Sequence, residues 1–200
     1  MQGNIIIKNA AQVVTCSGFT AKRGKEMADI SAIEDGAVVI ENGTIKAVGK
    51  STEILKDADT GNFEVIDAQG KAVLPGFVDS HTHFVFGGYR PDEFAWRLRG
   101  DSYMDIMKRG GGIANSVKST RQASREELLA LGKKRLDAMM AFGVTTVEGK
   151  SGYGLNLETE LKQLSVYNTL NETHPLEIAA TFLGAHATPK EFRGDSEAFI

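Results

Sequence analysis

The chain is 200 residues long, 42% hydrophobic and 24% charged, with a formal net charge of -3 and a pI near 5.8. That length and balance support a buried core and exclude disordered, collagenous and low-complexity classes. The lack of any basic excess argues against nucleic acid and anionic membrane as partners, and no window approaches the roughly 18 consecutive apolar residues of a membrane span. The same charge balance points to a small-molecule partner, and a single cysteine, Cys16, which closes no intrachain disulfide, points to a reducing cytoplasm.

The first seventy residues read as β-structure. Asn4–Lys8 predicts a strand that Gln12–Thr15 either continues or follows as a second one. The polar stretch Ser17–Glu34 predicts a surface loop. Ala37–Gly49 predicts two strands around Asn42-Gly43, the pair favoured in a tight type I′ hairpin. Ser51 or Thr52 is placed to cap a short helix through Leu55, and Phe63–Asp67 predicts one more strand before an Ala-Gln-Gly turn. Residues 1–70 are therefore expected to form a small β domain with a structural role.

From Lys71 the pattern changes to strands alternating with helices, the signature of a parallel α/β sheet or barrel. The apolar run Ala72–Ser80 predicts a strand leading into His81-Thr82-His83. Tyr103–Lys108 predicts a helical turn ended by Gly110-Gly111-Gly112. Ser124 and Glu127 form a capping box for a helix through Leu128, Leu129, Leu136, Met139 and Met140 to Gly143, with its charged residues on a solvated face. Val144–Val147 predicts a second strand and Glu177–Leu183 a third. The helix between them starts at Asn156, with Glu158 and Glu160 near its positive end and Leu157, Leu161, Leu164 and Leu170 on one stripe. A closed barrel needs eight strand-helix units, so residues 71–200 are expected to be the first part of a (β/α)8 barrel and the chain the front of a longer protein.

In parallel α/β folds functional groups collect where strands end. Those ends carry His81 and His83, then Glu148 to Gly154, then Gly184-Ala185-His186. Residues i and i+2 of a strand face one side, so His81 and His83 can aim both imidazoles at one point, as a metal pair does; the alternative is two incidental histidines. Neutral imidazoles suit zinc or iron, and a divalent ion lowers the pKa of its water to about 7. Two histidines do not complete such a site, and His186 is a third candidate on spacing, unless it is simply a hydrogen-bonded loop residue. Arg90 has the planar fork to read a carboxylate, or pairs with Asp92 or Glu93. Tyr153, between two glycines, offers a phenol to a ligand or packs. Lys150 is a catalytic amine or, by default, a surface lysine beside Glu148. The stretch Arg109–Gly112 has the glycines of an anion cradle and lacks the spacing and ending of a P-loop.

Taken together, these residues resemble a known group. LPGFVDSHTH (74–83), after a β-rich opening, resembles the start of the amidohydrolase superfamily of metal-dependent hydrolases. HTHFVFGGYRPDEFAWRLRG (81–100), KRGGGIANSVKSTRQAS (108–124), TTVEGKSGYGL (145–155) and TFLGAHATPKEF (181–192) narrow the resemblance to the imidazolonepropionase family, across essentially the whole chain. The resemblance implies a distorted (β/α)8 barrel with a small N-terminal β-sandwich-like domain completed by later strands. It implies one Zn2+ or iron ion held partly by His81 and His83, and hydrolytic ring opening of 4-imidazolone-5-propanoate to N-formimidoyl-glutamate in histidine breakdown. Arg90 then holds the propionate, Tyr153 contacts the substrate, and His186 moves from the metal to the substrate side. The family's third metal histidine, metal aspartate and acid/base glutamate lie beyond the matched region, past residue 200, so the chain alone is expected not to turn over. A homodimer is the family's precedent. The rival readings are another cyclic amidohydrolase or deaminase using a carboxylated Lys150, and a non-catalytic module that assembles through its sheet edge.

Overall fold

A computed structural model describes residues 3–18, 20–56 and 60–200. The chain forms two compact units, Met1–Pro75 and Gly76–Ile200.

In the first unit, β-branched stretches pair as five strands: β1 (Ile5–Val14), β2 (Ala32–Glu41), β3 (Thr44–Lys50), β4 (Glu64–Asp67) and β5 (Ala72–Val73). The sheet order is β3-β2-β1-β4, with β5 also beside β1. The β1–β2 and β2–β3 pairs are antiparallel, while β4 and β5 run parallel to β1. Ala10, Val13 and Val38 form its buried centre, flanked by Ile7, Ile40, Val48, Ala68 and Val73. The two predicted segments join in the one strand Ile5–Val14, which excludes Asn4 and Thr15 and is interrupted by a register shift between Ile7 and Ala10 where Asn9 takes φ 57°. Asn42 and Gly43, at φ 51° and 76°, make the predicted hairpin turn, because a type I′ turn needs positive φ at both central positions.

Three details differ from the sequence reading. Strand β2 starts at Ala32, inside the predicted loop, because Ala32, Ile33 and Glu34 complete a backbone ladder with Val14, Val13 and Gln12 while their side chains show no apolar alternation. The rest of that loop carries a 3-10 turn at Gly24–Ala28, and its Phe19 lies outside the described residues. Helix α1 (Ser51–Ile54) has Lys50 at its N-cap without a side-chain cap bond. Ser51 lies inside the helix with its hydroxyl buried and unpaired, so neither proposed cap operates.

The second unit is α/β. Parallel strands β6 (Phe77–Thr82), β7 (Val144–Lys150) and β8 (Glu177–Thr181) lie in that order. The apolar run read as a single strand is split between the units: Ala72 and Val73 pair with Gln12 and Val13, and pairing resumes on β7 at Phe77, after Pro75, which has no N–H to donate to a ladder. Helices α2 (Pro91–Leu98), α3 (Tyr103–Lys108), α4 (Ile113–Gln122) and α5 (Arg125–Ala141) join β6 to β7, and α6 (Leu157–Thr173) joins β7 to β8. Helix α3 has Ser102 as its cap, and α5 opens on the predicted Ser124–Glu127 capping box. Helices α2 and α4 were not read from sequence, although Pro91 at the first turn with Asp92 and Glu93 is a legible start.

Helix α6 is capped by Asn156 as read, but its buried face is different. It turns Thr159, Glu160, Gln163, Val166, Tyr167 and Leu170 inward and leaves Leu157 and Leu161 73% and 53% exposed. The inward stripe keeps Leu170 from the predicted one, with Leu164 packed half-buried against the same core, and adds Glu160, Gln163 and Tyr167, which bond backbone that leucine cannot. The core gathers Phe84, Val85, Leu128, Leu136, Val147, Val166, Tyr167, Leu170, Leu176 and Ile178. Each such side chain taken fully from water contributes about 1.5–3 kcal/mol. Among the described residues no helix is long and apolar enough to cross a membrane.

Candidate active site

The C-terminal end of the three-stranded sheet brings four of the five candidate side chains together. His81 lies in the last turn of pleat of β6 and His83 just past its end, their ring centroids 6.4 Å apart at 75°. Tyr153, from the loop after β7, stacks on His83 at 4.7 Å and 20°. His186, from the loop after β8, stands 4.9 Å from His83 and 6.0 Å from Tyr153. Three strand ends separated by more than a hundred residues thus deliver one ring cluster, as the strand-end rule anticipates. Its second layer is aromatic: Phe86 meets the edge of Tyr153 at 6.0 Å and Tyr89 at 6.1 Å.

Arg90 has a partner of its own. Its guanidinium pairs with Glu93 at 3.4 Å, one of the two plain alternatives open from sequence, while the Glu93 carboxylate also accepts the Gly112 N–H at 2.8 Å. The same bond ties the triple-glycine segment to α2, so Gly112 offers no N–H to an anion. Lys150 is not a surface lysine: its side chain is 14% exposed and its ammonium pairs with Glu148 on the same strand. That ammonium, with the Thr181 hydroxyl at 2.8 Å, holds the Glu148 carboxyl below the usual carboxylate range.

Burial lowers the pKa of His83, and the neighbouring His186 imidazole lowers it further. The imidazole is thereby biased to its neutral form, which is the form that binds a metal. Its Nδ1 is buried with no hydrogen-bond partner. An orphaned, neutral ring nitrogen beside a second imidazole fits a zinc or iron ligand pair. Among the described residues no group of three His, Cys, Asp or Glu side chains is placed to hold an ion.

Residues 64–116 match the model of an amidohydrolase family. A curated imidazolonepropionase of Clostridium tetani is 61% identical over 199 residues, covering 100% of this chain and 48% of that protein. The chain is a relative of the imidazolonepropionases. A second imidazolonepropionase, from Parabacteroides distasonis, is 57% identical over 98% of the chain and 47% of its own length. The chain spans about half the length of the imidazolonepropionases it matches. Among solved structures, an atrazine chlorohydrolase from Arthrobacter aurescens TC1, complexed with zinc, superposes with a TM-score of 0.51 at 19% identity, covering 89% of this chain and 35% of that one. This likeness concerns the fold.

One residue of the site escaped the sequence reading. Arg135, on the helix taken as solvated, donates to the carbonyls of Phe84 and Phe86 at 2.8 Å each and lays its guanidinium 3.6 Å from the Phe86 ring centroid. It steadies the segment between His83 and Arg90. Its partners lie about fifty residues away in sequence, at separations of 51 and 49, so no local pattern announces them.

Proposed function

We propose that this chain carries part of an imidazolonepropionase active site, for the metal-dependent opening of the cyclic amide C–N bond of 4-imidazolone-5-propanoate to N-formimidoyl-glutamate in histidine degradation. The ring cluster of His81, His83, Tyr153 and His186, with the unpartnered Nδ1 of His83, carries the reading. His81 and His83 would hold one Zn2+ or iron ion. When bound, that ion supplies a Lewis acid and water of lowered pKa. The chain's other groups bind and orient: the Tyr153 phenol donates to a heteroatom of the flat ring, His186 orients the ring or steadies charge developing on its oxygen, and Arg90 exchanges Glu93 for the propionate carboxylate. The general acid/base is not among these residues.

In this reading residues 1–70 belong to a small β-sandwich-like domain and residues 71–200 to the first three strand-helix units of a (β/α)8 barrel. The protein works in the cytoplasm, as a homodimer, on a small molecule. The parallel strand order and the strand-end placement of the site support the barrel. Lys150, committed to Glu148, is poorly placed to be carboxylated, which disfavours the rival with a bridging lysine.

Because two imidazoles leave the donor set short, the 200-residue chain by itself should not open the ring. The test joins the chain to the portion of the Clostridium tetani relative that it does not cover and assays ring opening of 4-imidazolone-5-propanoate with added Zn2+ or Fe2+. Metal-dependent turnover by the fusion, abolished in His81→Ala and absent from the chain alone, is the expected result. A folded fusion that retains metal and leaves the imidazolone intact overturns the function. Turnover by the chain alone overturns the claim of a divided site.

A further inference from the structure

We infer that Glu160, buried in α6, is the positioning residue that sets Tyr153 and His186 for their ligand. The inference rests on the proposed function only in giving those two residues a ligand to meet. The carboxylate is 2% exposed and faces the loop after β7. Its Oε2 accepts the Gly152 N–H at 2.8 Å, and its Oε1 accepts the N–H groups of Gly154 and Leu155, each at 2.8 Å. Three backbone donors therefore converge on one anion from the two sides of Tyr153. Convergent N–H groups of this kind form a nest that ordinarily receives an anion, and here the chain fills it with its own carboxylate.

The loop needs this clamp. Gly152 stands at φ 110° and Leu155 at φ 51°, conformations that side-chain-bearing residues rarely adopt and that persist only where the surroundings over-determine them. A Cβ on Gly152 would come within 2.8 Å of the His186 Cβ, so the same backbone that carries Tyr153 is the wall against which His186 rests. Arg121 grips the opposite side, donating to the Gly154 carbonyl at 2.6 Å and the Leu155 carbonyl at 3.0 Å. Its guanidinium does not replace Glu160, since it holds carbonyls and leaves the three N–H groups to the carboxylate.

The charge state of this group matters as well as its shape. An ionised carboxylate is acceptor-only and serves all three donors at once. The isosteric amide of Glu160→Gln must turn an NH2 toward at least one backbone N–H, whichever way it is flipped. The consequence should be local. The stack of Tyr153 on His83 loosens while the sheet and the α5–α6 core remain.

The experiment is NMR on the 15N,13C-labelled chain as wild type, Glu160→Gln and Gly154→Ala. Gly154→Ala keeps the carboxylate and pushes the loop off it, because its Cβ would lie 2.8 Å from the Glu160 N and 3.0 Å from Oε1. In both variants the amides of Gly152 and Leu155 should exchange about tenfold faster, and the nuclear Overhauser contact between the Tyr153 and His83 rings should vanish. The exchange of Val147 and Leu136 should stay as in wild type. Retention of the ring contact and of loop protection in a folded variant overturns the inference. So does a uniform rise in exchange across Val147 and Leu136, which would make Glu160 a general core residue. If Glu160→Gln does not fold, Gly154→Ala decides by the same two readouts. None of these signals involves metal or substrate, so they stand or fall apart from the proposed chemistry.

Discussion

The two units of this chain are stabilised in different ways. In Met1–Pro75 the interior is aliphatic and the backbone satisfies itself through strand ladders, with most positive-φ residues in turns, loops or at the β1 register shift and Asp35 inside β2. In Gly76–Ile200 the interior also contains Thr120, Ser151, Glu160 and Gln163, all at most 2% exposed, and each bonds irregular backbone near the strand ends. The first unit needs only hydrophobic burial and correct turns. The second uses buried hydrogen bonds to hold loops in shapes that local sequence does not favour, and those loops carry the candidate site. Such groups are costly to disturb, because a partner left unpaired in the interior keeps its full desolvation penalty.

The comparison can be read with separate probes, since the one tryptophan, Trp96, and all four tyrosines fall in the second unit. The largest effect should come from Leu136→Ala, which empties a fully buried position in the helical core. Chemical denaturation followed by Trp96 fluorescence should show a loss of about 2–5 kcal/mol; a loss well below that range would mean the core is not close-packed there. Next is Tyr167→Phe, which strands the Val85 N–H and the Lys150 carbonyl that the phenol now serves at 3.3 and 2.8 Å. Its expected cost is about 1–3 kcal/mol by the same probe. A neutral result would show that the polar interior does not hold the loops.

In the first unit, Gly43→Ala forces a Cβ onto a residue at φ 76°. It should destabilise β2 and β3 by about 1 kcal/mol in amide exchange while Trp96 unfolding is unchanged. Loss of both signals together would mean that the units do not unfold separately. The smallest effect concerns Asp67, whose carboxyl is held below the ordinary value mainly by the Gln69 N–H and then by the Asn9 side-chain amide. A depressed carboxyl pKa means that the unfolded chain binds the proton more readily. Its stabilisation is therefore complete above the unfolded value of 3.8 and is lost as pH falls through the folded one. Asp67→Asn should flatten that acid limb in the first unit's unfolding, and an unchanged limb would assign it to other carboxylates.

Much of the first unit was legible because its signals are local: Asn42-Gly43 names its own turn, and the runs of Val and Ile name their strands. The reading failed where backbone pairing extends beneath side chains with no apolar alternation, as at Ala32–Glu34. In the second unit the capping box at Ser124 and the Asn156 start were equally local and equally legible. The inward face of α6 was not, because a rule that counts leucines places Leu157 and Leu161 inside. The structure places Glu160, Gln163 and Tyr167 there to serve backbone elsewhere. Arg135 escaped for the same reason.

The sequence by itself determined where strands and helices alternate, that the candidate residues fall at strand ends, and that His81 and His83 lie together where one strand ends, because each of these follows from periodicity or spacing along a few residues. Only the tertiary structure decided that Tyr153 and His186 close around His83, that Arg90 and Lys150 already have carboxylate partners, and that Glu160 turns inward. These depend on distances between segments far apart in the chain, which the parallel sheet sets by bringing its strand ends to one edge.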